Sequence, residues 1–228
     1  MLIVINPNKT TKQVFFKDLI NYLYQHTNVT LRQLKKVFPD VRHLDRHLDL
    51  YIEETYILRD ERRYYLNLPL LKSTEGLQLD SMVFVDNETP IYQELQELVF
   101  ETRLANKTND LIIIERTDFT RDTLTLSNYF YKLGKGYSLS TEQNKLYQII
   151  GDVNPDYALK YLSTFLMKFI RKDLVLQKRP DIFCKTLVEL NYLQEKEEHK
   201  YQLNGKLDQV SLHYVAPKKL DYHDNSQL

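Results

Sequence analysis

Residues 29–67 read VTLRQLKKVFPDVRHLDRHLDLYIEETYILRDERRYYLN, and this stretch decides the fold that the sequence predicts. Thr30 is followed three residues later by Gln33, which is the spacing of a capping box at a helix N-terminus. The helix is expected to end near Phe38, because the residue before a proline is pushed out of the helical region. The stretch therefore begins with a short helix.

A longer helix is predicted after Pro39. Asp40 can cap it, and apolar residues then recur at Leu44, Leu48, Tyr51 and Ile52. This i, i+4, i+7, i+8 spacing places the four side chains on one face of a helix. The opposite face is left to polar and charged residues.

From Tyr56 onward, the spacing of the hydrophobic residues changes from that of a helix to that of a strand. Residues 56–58 and 64–66 are both rich in β-prone side chains, and charged residues separate them, which indicates a β-hairpin. An earlier helix near residues 10–25 completes three helices before the hairpin. Helix, turn, longer helix and hairpin is the order of a winged helix-turn-helix.

Composition and length restrict the class of protein. The chain has 228 residues with 31 basic and 31 acidic side chains, so its formal net charge is zero, unlike that of a strongly basic nucleic-acid binder. It contains no apolar run of membrane-spanning length and no signal-peptide pattern. Its single cysteine, Cys184, excludes an internal disulfide. We therefore expect a cytoplasmic protein with no membrane partner.

Charge is distributed unevenly, and this indicates domains. The net charge is +4 over residues 1–72, −7 over 73–157 and +3 over 158–228. Together with a polar linker near residues 72–76, this predicts four segments: an N-terminal winged-helix-like domain over 1–72, a central acidic α/β segment over 73–153, a C-terminal winged-helix-like domain over 154–215 and a polar tail over 216–228.

The C-terminal third resembles the N-terminal third. Aligning Tyr192 with Tyr56 pairs Cys184 with Leu48, and both are then expected in a core. The same comparison predicts three-helix cores over 10–54 and 154–191, with a short helix near residues 173–176, each core followed by a hairpin. The predicted fold class is α+β, mostly helical, with two winged helix-turn-helix-like units flanking a small acidic central α/β segment.

One family resemblance covers most of the chain. The segments FFKDLI (15–20), VTLRQLKKVFPD (29–40) and YILRDERRYYLNLPLL (56–71) resemble an uncharacterised family of small cytoplasmic proteins from streptococcal and enterococcal Gram-positive bacteria, catalogued as a domain of unknown function. The resemblance implies a bacterial cytoplasmic setting. It carries no catalytic motif.

The predicted winged helix offers a candidate DNA-binding surface. In such folds the second helix enters the major groove and the hairpin touches phosphates or the minor groove. The side chains expected to make these contacts are Arg42, His43, Arg46, His47, Arg59, Arg62 and Arg63. The alternative is a neutral, solvated face, because Arg42–Asp45 and Arg46–Asp49 have the spacing of ion pairs within one helix.

Metal and enzyme sites are the weaker hypotheses. His43 and His47 have i, i+4 spacing, but Leu44 stands where a zinc protease motif needs glutamate. Carboxylates also follow the two central apolar runs, at Asp86, Glu88, Glu115, Asp118 and Asp122, and acidic residues are common at strand ends. We therefore expect no catalytic, cofactor-binding or metal site, and no enzyme.

Two hypotheses from different classes remain open. The first is a DNA-binding, transcriptional regulator-like protein that contacts double-stranded DNA through its N-terminal unit. The second is a non-enzymatic adaptor that binds a protein partner, or a second copy of itself, through the central or C-terminal segment. The acidic second hairpin, Glu195–Glu198, favours the adaptor, because it would repel phosphate.

Overall fold

The computed structural model describes residues 1–217, and their packing divides into one unit over Met1–Leu98 and a second that begins at Val99. The predicted boundaries after residues 72 and 153 fall inside these units. The predicted polar tail over 216–228 lies outside the described residues except for Ala216 and Pro217.

The first unit combines helices with two small antiparallel sheets. Its elements in chain order are β1 (Leu2–Ile5), α1 (Val14–Gln25), β2 (Val29–Thr30), α2 (Leu31–Val37), α3 (Leu44–Glu53), β3 (Ile57–Asp60), β4 (Arg63–Leu66), β5 (Val83–Asp86) and α4 (Pro90–Glu97). One sheet has the strand order β2-β4-β3, and the other pairs β1 with β5.

One apolar face of each long helix forms the core of the first unit. The buried side chains of α1, α2 and α3 are Phe16, Leu19, Ile20, Leu23, Leu34, Leu44, Leu48 and Tyr51. The strands add Val29, Ile57 and Tyr64 to the same cluster. On α1 and α3 these residues recur at three- and four-residue steps, and α2 adds Leu34 to the same core.

The second unit contains a mixed sheet, a bundle of helices and a second small sheet. Its elements are β6 (Val99–Leu104), β7 (Ile112–Asp118), α5 (Leu126–Lys135), α6 (Thr141–Ile150), α7 (Pro155–Leu166), a 3-10 helix (Met167–Ile170), β8 (Leu174–Leu176), α8 (Ile182–Glu189), β9 (Leu193–Glu197), β10 (Lys200–Leu203), β11 (Lys206–Asp208) and β12 (His213–Val215). The mixed sheet has the order β11-β12-β7-β6, with β12 parallel to β7, and the small sheet has the order β8-β10-β9.

Side-chain caps begin several helices, and the capping box predicted at Thr30 is confirmed. The capping box of Thr30 with Gln33 forms at α2, and that of Ser140 with Gln143 forms at α6. The side chain of Asn154 accepts a hydrogen bond from the Tyr157 N–H at the start of α7. These are local signals, and a side-chain oxygen two or three residues before an unpaired N–H satisfies it wherever the helix lies.

The predicted fold class is wrong in calling the chain mostly helical. Of the described residues, 37% lie in helices and 23% in strands, in several sheets, so the α+β class holds without helical dominance. The two apolar runs of the predicted central segment join different sheets. β5 pairs with β1, whereas β7 pairs with β6 and β12.

The three-helix version of the second repeat is also wrong. The predicted short helix near residues 173–176 is the strand β8, which pairs with β10. Val175 is buried there while Leu174 and Leu176 are exposed, which is the period of a strand. An apolar run of three residues does not distinguish a short helix from a strand, and the pairing with β10 decides it.

A smaller part of the repeat does hold. At the end of α3 the Tyr56 N–H donates to the Tyr51 carbonyl, and at the end of α8 the Tyr192 N–H donates to the Leu187 carbonyl. Both helices therefore end in the same hydrogen-bonded turn before a hairpin. Cys184 is buried on α8 as Leu48 is on α3. The two units share a helix, its terminal turn, a hairpin and a third strand on that hairpin.

Candidate nucleic-acid interface

The candidate surface of the first unit is formed by α2, α3 and the first hairpin, which consists of β3 and β4. α3 begins at Leu44, and its N-cap is His43 in a left-handed conformation, so the prediction that Asp40 caps this helix is wrong. Residues 40–43 form a turn instead. Arg42 and His43 therefore precede α3 rather than lie on its outer face.

The seven predicted contact residues occupy different parts of this surface. Arg42 and His43 lie in the turn before α3, Arg46 and His47 lie on α3, and the remaining three lie on the first hairpin: Arg59 on β3, Arg62 in the turn and Arg63 on β4. All are exposed except His47, which is half-buried. The His47 ring packs edge-to-face on Phe15, at 5.6 Å between centroids.

Arg42 and Arg46 do not form the ion pairs that the alternative of a neutral face requires. Asp45 binds Lys35 of α2 at 3.0 Å, and within the described residues neither Arg42 nor Arg46 forms an ion pair. Lys35 thereby neutralises one acid of α3 and links the two helices. Asp49 remains exposed on α3, so the face keeps an acidic residue beside its arginines.

Sequence reasoning missed the contribution of α2. Arg32, Lys35 and Lys36 are all exposed on this helix, opposite the buried Leu34. The sequence VTLRQLKKVF was a sufficient signal for this. A short helix that buries one face, here at Leu34, exposes the side chains on its other faces to solvent. The surface therefore carries basic residues on two helices as well as on the hairpin.

The turn of the first hairpin holds a strained backbone. Asp60 pairs with Arg63, so only Glu61 and Arg62 connect the strands, and their φ angles are +43° and +64°. Two-residue hairpin turns with both residues in this region strongly favour Asn-Gly, because a side chain there costs energy. A charged pair stands at this position, with the Arg62 side chain exposed at the tip.

We expect the double substitution Glu61→Asn with Arg62→Gly to stabilise the first unit by about 1 kcal/mol, because both residues suit a left-handed backbone. Urea unfolding followed by circular dichroism measures the change. A control with Asp60→Asn, one position outside the turn, should leave the stability within about half a kcal/mol. A loss of stability in the double variant would contradict the strain argument.

The other two hairpin arginines are held in place. The Arg59 guanidinium lies over the Tyr64 ring at 5.7 Å from its centroid. Nη1 of Arg63 donates to the Asn28 carbonyl at 3.2 Å. Because these contacts restrict the two side chains before any ligand arrives, less conformational entropy is lost on binding.

The carboxylates considered for a metal site are engaged in the protein. Asp86 binds the N-terminal ammonium at 2.7 Å. Glu115 is buried and accepts hydrogen bonds from the backbone N–H groups of Leu126 and Ser127 and from the Tyr192 hydroxyl. Burial raises the pKa of Glu115, although these donors oppose the shift. Across residues 1–217, no group of three or more His, Cys, Asp or Glu side chains is placed to hold a metal ion.

The second hairpin, β9 with β10, differs from the first in charge. Glu195, Lys196, Glu197 and Glu198 are all exposed, and Lys200 is paired with Glu197 at 2.5 Å. An anionic ligand would meet net negative charge there. The resemblance between the two hairpins is therefore one of backbone, not of surface chemistry.

Comparison with known proteins locates one family. Residues 2–98 match the family described as "Domain of unknown function (DUF1803)", and this span coincides with the first structural unit to within one residue. No curated protein and no solved structure matches the chain significantly. In the described part of the chain, no helix has the length and apolar character needed to cross a membrane.

Proposed function

We propose that the first unit binds double-stranded DNA through the surface formed by α2, α3 and the first hairpin. The observation that supports this most is the ion pair between Lys35 and Asp45, which takes up an acid of α3 while Arg42 and Arg46 stay exposed. Arginine is suited to such a contact, because its planar fork matches both phosphate oxygens and the edge of guanine.

The hairpin supplies a second group of cations for the same ligand. Arg59 and Arg63 are restricted by Tyr64 and Asn28, and Arg62 projects from a two-residue turn. A short turn presents its side chain with little freedom, which favours a defined contact over a diffuse one. We assign phosphate contacts to the hairpin and base-edge contacts to Arg42 and Arg46.

The acids of the surface limit the expected affinity. Asp49 and Glu61 are exposed beside the arginines, so only a few phosphates are neutralised. With about three to five phosphate contacts, the slope of log affinity against log salt is expected near −3 to −4. Binding is then measurable at low salt and weak at high salt.

The double charge reversal Arg46→Glu with Arg62→Glu tests the proposal. We expect it to abolish duplex binding at low salt, because two contacts become repulsive, while the melting temperature changes little because both side chains are exposed. Fluorescence anisotropy with random and genomic duplexes over a range of salt concentrations measures the affinity.

The control is Lys196→Glu in the second hairpin. It changes the charge by the same amount as each Arg→Glu substitution, but at a site surrounded by glutamates, so duplex binding should be unchanged. Absence of salt-sensitive binding by the unaltered chain would refute the DNA proposal. So would binding that survives the double reversal.

A protein-binding adaptor is the second candidate function, and strand β8 favours it. β8 is an edge strand, and Leu174 and Leu176 are exposed on one of its faces. An exposed apolar edge strand is a site where another chain can add a strand. If the chain binds no DNA and a co-purified protein is lost in Leu174→Lys with Leu176→Lys, the adaptor is the better description.

A further inference from the structure

Three aromatic rings form a cluster on α7 and α8 of the second unit. Tyr157 and Tyr161 lie one turn apart on α7, with their centroids 4.7 Å apart. Phe183 of α8 lies behind Tyr161, with centroids 4.9 Å apart and planes 13° apart. We call Tyr157, Tyr161 and Phe183 the aromatic cluster. It joins neighbouring rings from two helices.

The outer rings of this cluster face solvent. Tyr157 is 50% exposed and Tyr161 37% exposed, whereas Phe183 beneath them is 9% exposed. Side chains of this size contribute most when buried, so two adjacent exposed rings are a surface available to a ligand. Phe183 stacks on one face of Tyr161, which fixes the orientation of the Tyr161 ring.

The segment that carries the aromatic cluster is basic, with seven Lys and Arg against four Asp and Glu over residues 154–189. Lys160 Nζ lies 5.3 Å from the centroid of Tyr161. Lys178 and Arg179 are exposed just before α8. Of the acids, Asp156 is exposed, and Asp181 accepts a hydrogen bond from the Cys184 N–H as the cap of α8. The net positive charge of this segment favours an anionic ligand.

We propose that this face binds single-stranded nucleic acid, with unpaired bases stacking on Tyr157 and Tyr161 and the phosphates lying against Lys160 and the other exposed cations of residues 154–189. Exposed aromatic rings bordered by cations are how single strands are bound without regard to sequence, since every base has a π-face to stack. A duplex does not fit this description, because its bases are already stacked on each other.

This site is independent of the proposed duplex surface. Its residues lie in the second unit, outside residues 2–98, and it recognises unstacked bases rather than groove edges. A failure of duplex binding by the first unit leaves it untouched. A purely apolar partner would account for the rings but not for the cations.

The test measures binding of a labelled oligo-thymidylate, about 15 nucleotides long, to the full chain by fluorescence anisotropy at low salt. The double substitution Tyr157→Ala with Tyr161→Ala should weaken binding at least ~10-fold, because base stacking on an aromatic ring contributes strongly to affinity. Tyr161→Phe keeps the ring and should bind within about twofold of the unaltered chain. Lys160→Gln should reduce the magnitude of the salt slope by about 0.7.

Two controls separate this result from general damage. Tyr147→Ala removes an exposed tyrosine of α6 outside the cluster and should leave binding unchanged. Thermal melting shows whether the double variant folds. If the double variant does not fold, the single variant Tyr157→Ala, which removes the more exposed ring, is used for the binding measurement instead.

Three outcomes overturn the proposal: no binding of the oligonucleotide by the unaltered chain, binding that the folded tyrosine variants retain in full, or a dimer in sedimentation velocity that the tyrosine variants convert to monomer. The last outcome would mean that a second copy of the chain covers the rings.

Discussion

Asp118→Asn is expected to destabilise the second unit by about 3 kcal/mol. The Asp118 carboxylate ends β7 and accepts hydrogen bonds from the Thr120 hydroxyl at 2.7 Å, the Asp122 N–H at 2.8 Å and the Asn128 side-chain amide at 2.7 Å. Both the N–H and the hydroxyl of Thr123 donate to it as well. An asparagine amide would place two N–H donors among these donors and leave some of them unsatisfied.

Chemical unfolding of the two proteins, followed by circular dichroism, measures this loss. A matched control is Asp110→Asn, because the Asp110 side chain is exposed in the same unit. The control should cost less than about half a kcal/mol. An equal loss of unfolding free energy in both variants would contradict the argument that the hydrogen bonds accepted by Asp118 stabilise the unit.

The Asp118 contribution should also depend on pH. Burial disfavours the charged carboxylate, but the hydroxyls of Thr123 and Thr120 and the backbone N–H groups outweigh burial and lower the pKa of Asp118. A carboxyl with a lower pKa in the folded state stabilises fully above its unfolded pKa of about 3.9 and loses that contribution as pH falls through the folded pKa.

The difference in unfolding free energy between the unaltered chain and Asp118→Asn is therefore expected to stay constant near neutral pH and to shrink below about pH 4. Unfolding curves over a series of pH values measure it. A difference that grows on acidification would contradict the direction of the shift.

Leu48→Ala is expected to destabilise the first unit by about 2–5 kcal/mol, because Leu48 is 1% exposed at the centre of its core. Leu58→Ala provides the matched control, since the same side chain is 48% exposed on β3 and little apolar burial is lost. Arg62→Ala at the tip of the first hairpin should change stability by less than about half a kcal/mol. If thermal melts showed the Leu58 variant to be less stable than the Leu48 variant, the assignment of Leu48 to the buried face of α3 would be wrong.

Features that depend on neighbouring residues were predictable from sequence. The capping boxes at Thr30 and Ser140 form because a side-chain oxygen and an N–H lie three residues apart in any helix start. The buried positions Leu44, Leu48 and Tyr51 follow from helical spacing. The start of α3 was not predictable in this way, because the His43 backbone takes a left-handed conformation that residues 40–43 do not specify.

The sequence predicted which residues form the candidate surface better than it predicted their contacts. The sequence identified the arginines near α3 and on the first hairpin, and it gave Arg42–Asp45 and Arg46–Asp49 as the ion pairs of an alternative, neutral face. The pairing of Lys35 with Asp45 required α2 and α3 to be packed together. The aromatic cluster was not identified at all, because Phe183 reaches Tyr161 only when α8 packs on α7.

By itself, the sequence determined the helix and hairpin signals, the two positions where a helix end leads into a hairpin, and the uneven charge. Only the tertiary structure decided that β5 pairs with β1 across about 80 residues, that β12 lies parallel to β7, and that residues 174–176 form a strand. The physical reason is the distance along the chain between the residues that interact. Caps, turns and amphipathic faces are satisfied within a few residues, whereas a strand has no hydrogen-bond partner of its own and takes its identity from a distant segment.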